Sequence, residues 1–435
     1  MPHRLNTCEQ GFEDRFQAII ERTRSADDNV DVAVREIIRE VRTRGDHALI
    51  ELTRKFDKLT LTSETMRVPE EDSIAAYGAL SDDLRAALHL AADRIRAFHK
   101  AGLPGDVSFD DDYGSLIAAR WRAVDSAGIY VPGGLASYPS SVLMNAIPAK
   151  VAGVERVAMV VPHPGGEVNP VVLAAAHICG VDEIYKVGGA QAVAALAYGT
   201  ETIAPVDVIT GPGNAYVAEA KRQVFGRVGI DMIAGPSEIL IVADADNNAE
   251  WVAADLLSQA EHDRSAQSIL ITNDESFANQ VIAQVEAQLP SLPKVAIAEA
   301  SWDRHGLIII VESFDAALPL IDQLAAEHVE ILLPDAAGFA AKIRHAGSIF
   351  LGPYTPEAIG DYVGGPNHVL PTGRRARFSS GLSAVNFMKR TTLLGVSKAA
   401  LGVIGPAAET LALSEGLAAH ARSVTLRLDA LARDE

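Results

Sequence analysis

Gln259 and His262 stand three residues apart at the C-terminal end of a stretch that reads as a helix, so both side chains project from one side of it. A carbonyl oxygen and an imidazole on one face make half of a metal site. Most of the twelve histidines, among them His47, His89 and His177, lie in helical stretches and read as surface or packing residues. Three others could complete the site: His328 directly follows Glu327, His368 comes seven residues after Asp361, and His420 follows Glu415 in the tail. A Gln/His/Asp/His set is a sensible, if unusual, site for zinc; the spacing leaves the second histidine open.

Glu327-His328 offers a second chemistry. Imidazole titrates near neutrality and suits a general base. Sequence neighbours point in different directions, so the two groups could serve separate proton transfers. A third chemistry lies in two glycine turns, Val187-Gly188-Gly189-Ala190-Gln191 and Thr210-Gly211-Pro212-Gly213-Asn214, each between a strand and a helix. Backbone N–H groups opening a helix suit a phosphate. No Gly-x-Gly-x-x-Gly follows any strand, and glycine pairs of this kind are more often plain tight turns.

Elements must position these residues. Asp244 or Asp246 could cap the helix that ends with Ser258-Gln-Ala-Glu-His-Asp263, with Trp251, Val252, Leu256 and Leu257 as its apolar face. Near the N-terminus, residues 1–25 read as a polar arm. Val30, Val34, Ile37, Ile38 and Val41 form a helical face that Gly45-Asp46 breaks, and Ser81 caps a helix carrying Leu84, Leu88, Ala91, Ile95 and Phe98. A short strand at 127–131 then feeds the turn Pro132-Gly133-Gly134. Strand candidates at 157–161, 184–187 and 206–210 alternate with helices. A second series follows at 239–242, 269–271, 307–311, 329–333 and 348–350. Such alternation means parallel sheets covered on both faces, here as two α/β domains. From Ser379 onward the chain reads as mostly helical, and its last stretch is too short to fold without packing on its own body or on a second subunit.

Composition narrows the function. The 435 residues are 48% hydrophobic and 22% charged, as in an ordinary soluble globular protein. A net charge of −19 argues against nucleic acid or an anionic membrane as a partner. Two cysteines, Cys8 and Cys179, are too few for a disulfide framework. With no secretory signal and no long apolar run, the expectation is a cytoplasmic protein acting on a small molecule.

Gly211-Pro-Gly-Asn214, Asp231-Met-Ile-Ala-Gly-Pro-Ser-Glu238, Ser258-Gln-Ala-Glu-His-Asp263, Glu327-His328, Ala346-Gly-Ser-Ile-Phe-Leu-Gly352, Gly360-Asp-Tyr-Val-Gly-Gly-Pro-Asn-His368, Arg377-Phe-Ser-Ser-Gly381 and Glu415-Gly-Leu-Ala-Ala-His420 occur in this order along the chain. Together they resemble the histidinol dehydrogenase family. The resemblance implies oxidation of L-histidinol through the aldehyde to L-histidine, with two NAD and a bound zinc. It implies Gln259, His262, Asp361 and His420 as zinc ligands that also meet the substrate, and Glu327 and His328 as proton-transfer residues, His328 also touching substrate. Ser237 and Glu415 would be substrate contacts with His368 nearby, and Tyr130, Gln191 and Asn214 the NAD contacts.

The fold implied is two Rossmann-like parallel-sheet α/β domains with a helical N-terminal region and a small helical tail. In residues, this gives an arm at 1–25, a helical part of the first domain at 26–129, an NAD-contacting domain at 130–236, a zinc and catalytic domain at 237–380, and a tail at 381–435. The tail would reach the partner of a homodimer, giving shared active sites. Ala326, Val329 and Arg264 depart from the family's usual residues and alter backbone stiffness rather than ligands. A relative oxidising another polar alcohol is the nearest alternative; Glu415 argues for a cationic substrate. A thiol mechanism through Cys179 is disfavoured by its packed helix end, and a mere solute binder by Glu327-His328.

Overall fold

The computed structural model describes residues 1–21, 28–133, 138–163, 166, 169–233 and 235–434; Gly134 of the glycine turn, Ala234 of the 231–238 motif and residues 22–25 of the expected arm lie outside them. The chain divides into two units, one comprising Met1–Gly102 and Asp125–Phe387, the other Leu103–Val124 and Met388–Glu435.

The first unit holds two parallel sheets. One is five-stranded, in the order Glu183–Tyr185, Arg156–Val160, Ser126–Tyr130, Val208–Thr210, Gly229–Ile230. Its strand order reverses between Ser126–Tyr130 and Val208–Thr210, which opens a crevice at their carboxyl ends. Helices Asp28–Phe56 and Gly189–Tyr198 cover it: Val34, Ile38, Val41 and Leu49 pack with Val193, Leu196 and Ile209 in one core. The expected break at Gly45 is a kink inside the first of these helices. There Gly45 takes φ 52° and ψ −133°, and the Asp46 N–H donates to Glu201.

The other sheet is six-stranded, in the order His3–Asn6, Leu307–Ile310, Gln267–Thr272, Glu238–Ala243, His328–Leu332, Ser348–Leu351. Its four inner strands are buried on both faces. Ile239 and Ile241 join the core of the helix Ala249–Ala260, while Leu240 and Val242 join the core on the opposite side. The segment expected as a polar arm is more ordered than its composition suggests. His3–Asn6 forms an edge strand beside Leu307–Ile310, and Phe16, on helix Phe12–Ile20, is fully buried in the second of those cores. The helix Ala249–Ala260 is capped by Asn248, which accepts from the Glu250 N–H, and not by Asp244 or Asp246. Trp251 points outward, 46% exposed, so Val252, Leu256 and Leu257 carry the apolar face without it. Ser81 caps the helix Asp82–Ala101 as its sequence suggests.

The second unit is an antiparallel sheet ordered Met388–Val396, Ser115–Ala123, Val107–Asp110, with helices Lys398–Ser414 and Ala418–Asp434 packed against each other. The tail thus has the helices expected of it, preceded by a nine-residue strand that the helical reading did not include. Its β-branched run pairs with a strand some 270 residues earlier, a non-local partner invisible to local pattern. No helix among the described residues is long and apolar enough to cross a membrane.

Candidate active site

Within the first unit, a cavity of about 880 Å³ lies between the carboxyl edge of the five-stranded sheet and the amino edge of the six-stranded one. Ten residues singled out in the sequence line it: Tyr130, Gln191, Asn214, Ser237, Gln259, His262, Glu327, His328, Asp361 and His368. Glu415 and His420 belong to the second unit, where both are exposed. Glu415 caps the end of its helix, Gly416 takes φ +73°, and the chain restarts as the helix that carries His420.

On the five-stranded side each glycine turn opens a helix. Tyr130 ends its strand, and its hydroxyl accepts the Gly189 N–H at 3.0 Å. Gln191, 1% exposed, sits in the first turn of the helix that Gly189 opens with φ +64°. Asn214 caps the next helix, its Oδ1 accepting from the N–H groups of Tyr216 and Val217, which leaves the amide N–H₂ to a ligand. Two helix N-termini therefore open at the switch point of this sheet, a setting suited to a dinucleotide's phosphates.

On the six-stranded side the active groups stand at the amino ends of strands. Glu327 precedes, and His328 begins, the strand His328–Leu332, which pairs in parallel with Glu238–Ala243. This register lets one residue hold both side chains. The Glu238 N–H donates to Glu327 Oε2 at 3.0 Å, and the Glu238 carbonyl accepts from His328 Nδ1 at 3.0 Å. His328 Nε2 thereby keeps its lone pair; it is buried and has no hydrogen-bond partner among the described residues. The nearest carboxylate oxygens, of Glu357 and Asp361, stand 3.8 and 4.0 Å away. Burial lowers the His328 pKa, opposed by the charge of Asp361, so the neutral ring is favoured. Burial pushes Glu327 well above the ordinary carboxylate range, helped by the charges of Glu238, Glu357 and Asp361 and opposed by the Glu238 N–H.

Beside this pair lies the metal-like cluster. Gln259 is wholly buried at its helix end, and neither amide atom has a hydrogen-bond partner among the described residues. A buried amide left unpaired is costly unless something outside the protein satisfies it. His262 is exposed and lines the cavity; ligand atoms of His262, Glu357 and Asp361 all lie within 4.8 Å of one another. Burial raises both carboxyls to about 7. Each also feels a neighbouring acid, Asp361 that of Glu357 and Glu357 that of Asp255, while the Ser258 hydroxyl offsets part of the shift at Glu357. Such a crowd of oxygen and nitrogen donors with surplus negative charge, open to the cavity on the His262 side, fits a divalent cation. His368 Nδ1 donates to the Asp361 carbonyl at 3.0 Å, and burial holds its ring pKa down to about 4. Glu357 was not among the candidates read from the sequence. Its spacing of four from Asp361, one turn of the short helix Glu357–Tyr362, is the signal that could have found it.

The model of the histidinol dehydrogenase family matches residues 20–428. Over 431 residues the chain is 58% identical to the histidinol dehydrogenase of Cereibacter sphaeroides, covering 99% of each. It is likewise 58% identical over 431 residues to that of Ruegeria pomeroyi, covering 99% of this chain and 100% of the other. A crystal structure of histidinol dehydrogenase from Elizabethkingia anophelis superposes with a TM-score of 0.94 at 38% identity, over 99% of this chain and 98% of that one.

Proposed function

The chain belongs to the histidinol dehydrogenase family and is an oxidoreductase; on that premise we propose that it oxidises L-histidinol through L-histidinaldehyde to L-histidine, the closing steps of histidine biosynthesis. NAD is the hydride acceptor and zinc the resident metal. One observation carries the reading: Nε2 of His328 and the amide of Gln259, both without a hydrogen-bond partner among the described residues, share a cavity with the His262–Asp361 cluster and with two glycine turns that open helix N-termini.

Gln259, His262 and Asp361 would hold the metal, with His420 of a second chain as the fourth ligand. Zinc, when bound, supplies charge stabilisation for a developing alkoxide and an anchor for the substrate's nitrogens. His328 Nε2, its ring fixed through Nδ1, takes the hydroxyl proton as a hydride leaves the carbinol carbon for NAD; this yields the aldehyde. Glu327 then takes a proton from the water that adds to the aldehyde carbon, and its raised pKa makes its anion a stronger base than a surface glutamate. Once His328 has released its first proton to solvent, the hydrate anion gives it a second proton and gives a second hydride to a second NAD, leaving the carboxylate. Ser237 at the cavity wall and Glu415 of the partner chain would orient the cationic substrate.

The test is absorbance at the NADH band with L-histidinol, before and after a chelator. Two NADH per histidinol, lost on chelation and restored by zinc, is the expected result. No NADH from zinc-loaded protein would overturn the substrate assignment, and full activity after thorough metal removal would overturn the metal.

A further inference from the structure

Ten residues apart in sequence, Lys221 and Asp231 form a buried ion pair at the cavity wall, their side chains 2% and 0% exposed. Each also binds the same glycine. Lys221 Nζ donates to the Gly211 carbonyl at 2.9 Å, and Asp231 Oδ2 accepts the Gly211 N–H at 2.8 Å. The other carboxylate oxygen accepts the Met232 N–H at 2.6 Å. Gly211 has φ +111°, and a Cβ there would lie 2.1 Å from the Tyr130 carbonyl oxygen. The turn is therefore pressed onto the backbone of Tyr130, whose hydroxyl in turn holds the Gly189 N–H.

We propose that Lys221 and Asp231 are positioning residues for the nucleotide half of the cavity: by gripping both backbone groups of Gly211, they fix the 211–214 turn against Tyr130. This rests on the NAD reading above. Stability alone is a poor explanation of the pair, because an apolar pair of similar volume often stabilises a core as well as a buried ion pair does. What an apolar pair cannot do is satisfy an N–H and a carbonyl of one buried residue at once. The opposite charges cancel, so the pair adds no net charge to the nucleotide half of the cavity. Its contribution is geometric, and it falls on nucleotide affinity rather than on the proton-transfer steps.

Two double variants separate geometry from charge. Lys221→Gln with Asp231→Asn keeps a donor and an acceptor for Gly211; Lys221→Met with Asp231→Leu keeps neither. In the zinc-loaded full-length enzyme, NAD dissociation constants, KM for NAD, kcat, metal content and thermal midpoint are measured for each. The polar pair is expected to stay within about threefold of wild-type NAD affinity. The apolar pair is expected to lose about tenfold or more, as for loss of hydrogen bonds to charged groups, with metal content unchanged and kcat at saturating NAD near wild type. Wild-type NAD affinity in the apolar pair, or equal losses in both pairs, overturns the proposal. If the apolar pair does not fold, Lys221→Met alone carries the same comparison, since it removes the donor to the Gly211 carbonyl. A wild-type enzyme that itself shows no affinity for NAD would instead sink the NAD reading, and the proposal with it.

Discussion

At the scale of single residues, His328 bears the heaviest chemical demand. His328→Ala is expected to lose oxidation of both the alcohol and the aldehyde, by about 10²–10⁴-fold in kcat, the usual worth of a positioned base. Glu327→Gln should harm the aldehyde step at least as much as the alcohol step. Turnover of each substrate in turn checks both, and near-normal rates in His328→Ala would remove it from the mechanism. Cys179 is the opposite case. It is buried at its helix end, and burial pushes its thiol up to about 12. Cys179→Ala is expected to keep most activity at a cost of about 1 kcal/mol in stability. In the native protein at pH 8, an alkylating reagent should label exposed Cys8 and spare Cys179 until denaturant is added; a dead but folded Cys179→Ala enzyme would reopen a thiol mechanism. Gln259, His262, Glu327 and His328 could be picked out in the sequence by residue type and proximity, but the shared helical face expected of the first two is not there: the helix ends at Ala260, and His262 lies in the turn beyond it. Lys221 and Asp231 were not legible, because what joins them is the backbone of a third residue, Gly211, and no periodicity records that.

Elements bring a different dependence, on pH. The helix Asp82–Ala101 holds the loop that ends in His368: Arg94 donates to the carbonyls of Val363 and Gly364, and Asn367 Nδ2 meets His99 Nε2 at 3.3 Å. The Asn367 amide is fixed in direction, since Nδ2 also donates to the Met144 carbonyl and Oδ1 accepts the Val369 N–H. His99 Nε2 must therefore stay unprotonated, and burial holds its pKa down to about 4. An unfolded histidine titrates near about 6.5, so between these values the unfolded chain binds the extra proton. The stability this residue contributes is whole above pH 6.5 and is lost as pH falls towards 4. Urea midpoints for wild type and His99→Gln, measured from pH 7.5 to 4.5, are expected to show a flatter profile in the variant. Parallel profiles would exclude His99 as the source. Most parallel strands of both sheets were readable as apolar runs between turn signals; the two-residue strand Gly229–Ile230 was too short to show one. The edge strand His3–Asn6 was not readable, having only Leu5 to bury, nor was Met388–Val396, whose partner lies far away in sequence.

For the whole molecule, the proposed homodimer has a consequence for mixtures of dead chains. If each site takes His328 from one chain and His420 from the other, His328→Ala disables the site that its own chain hosts, and His420→Ala disables the partner's. Heterodimers of the two then carry both defects in one site and none in the other. Refolded together, the two inactive proteins should regain about a quarter of wild-type activity, given random pairing and independent sites. Isolated heterodimers that stay inactive, while wild type refolds well, would show that the tail serves its own chain. The placing of the two glycine turns on one sheet and of Glu327-His328 on the other bears on the order of events. A four-electron oxidation that uses a two-electron acceptor must change acceptor halfway, with a reactive aldehyde in hand. Here the residues that would retain the aldehyde and those that would grip the acceptor share no strand. On the proposed mechanism, a spent acceptor could be traded for a fresh one without loosening the supports of the captive intermediate.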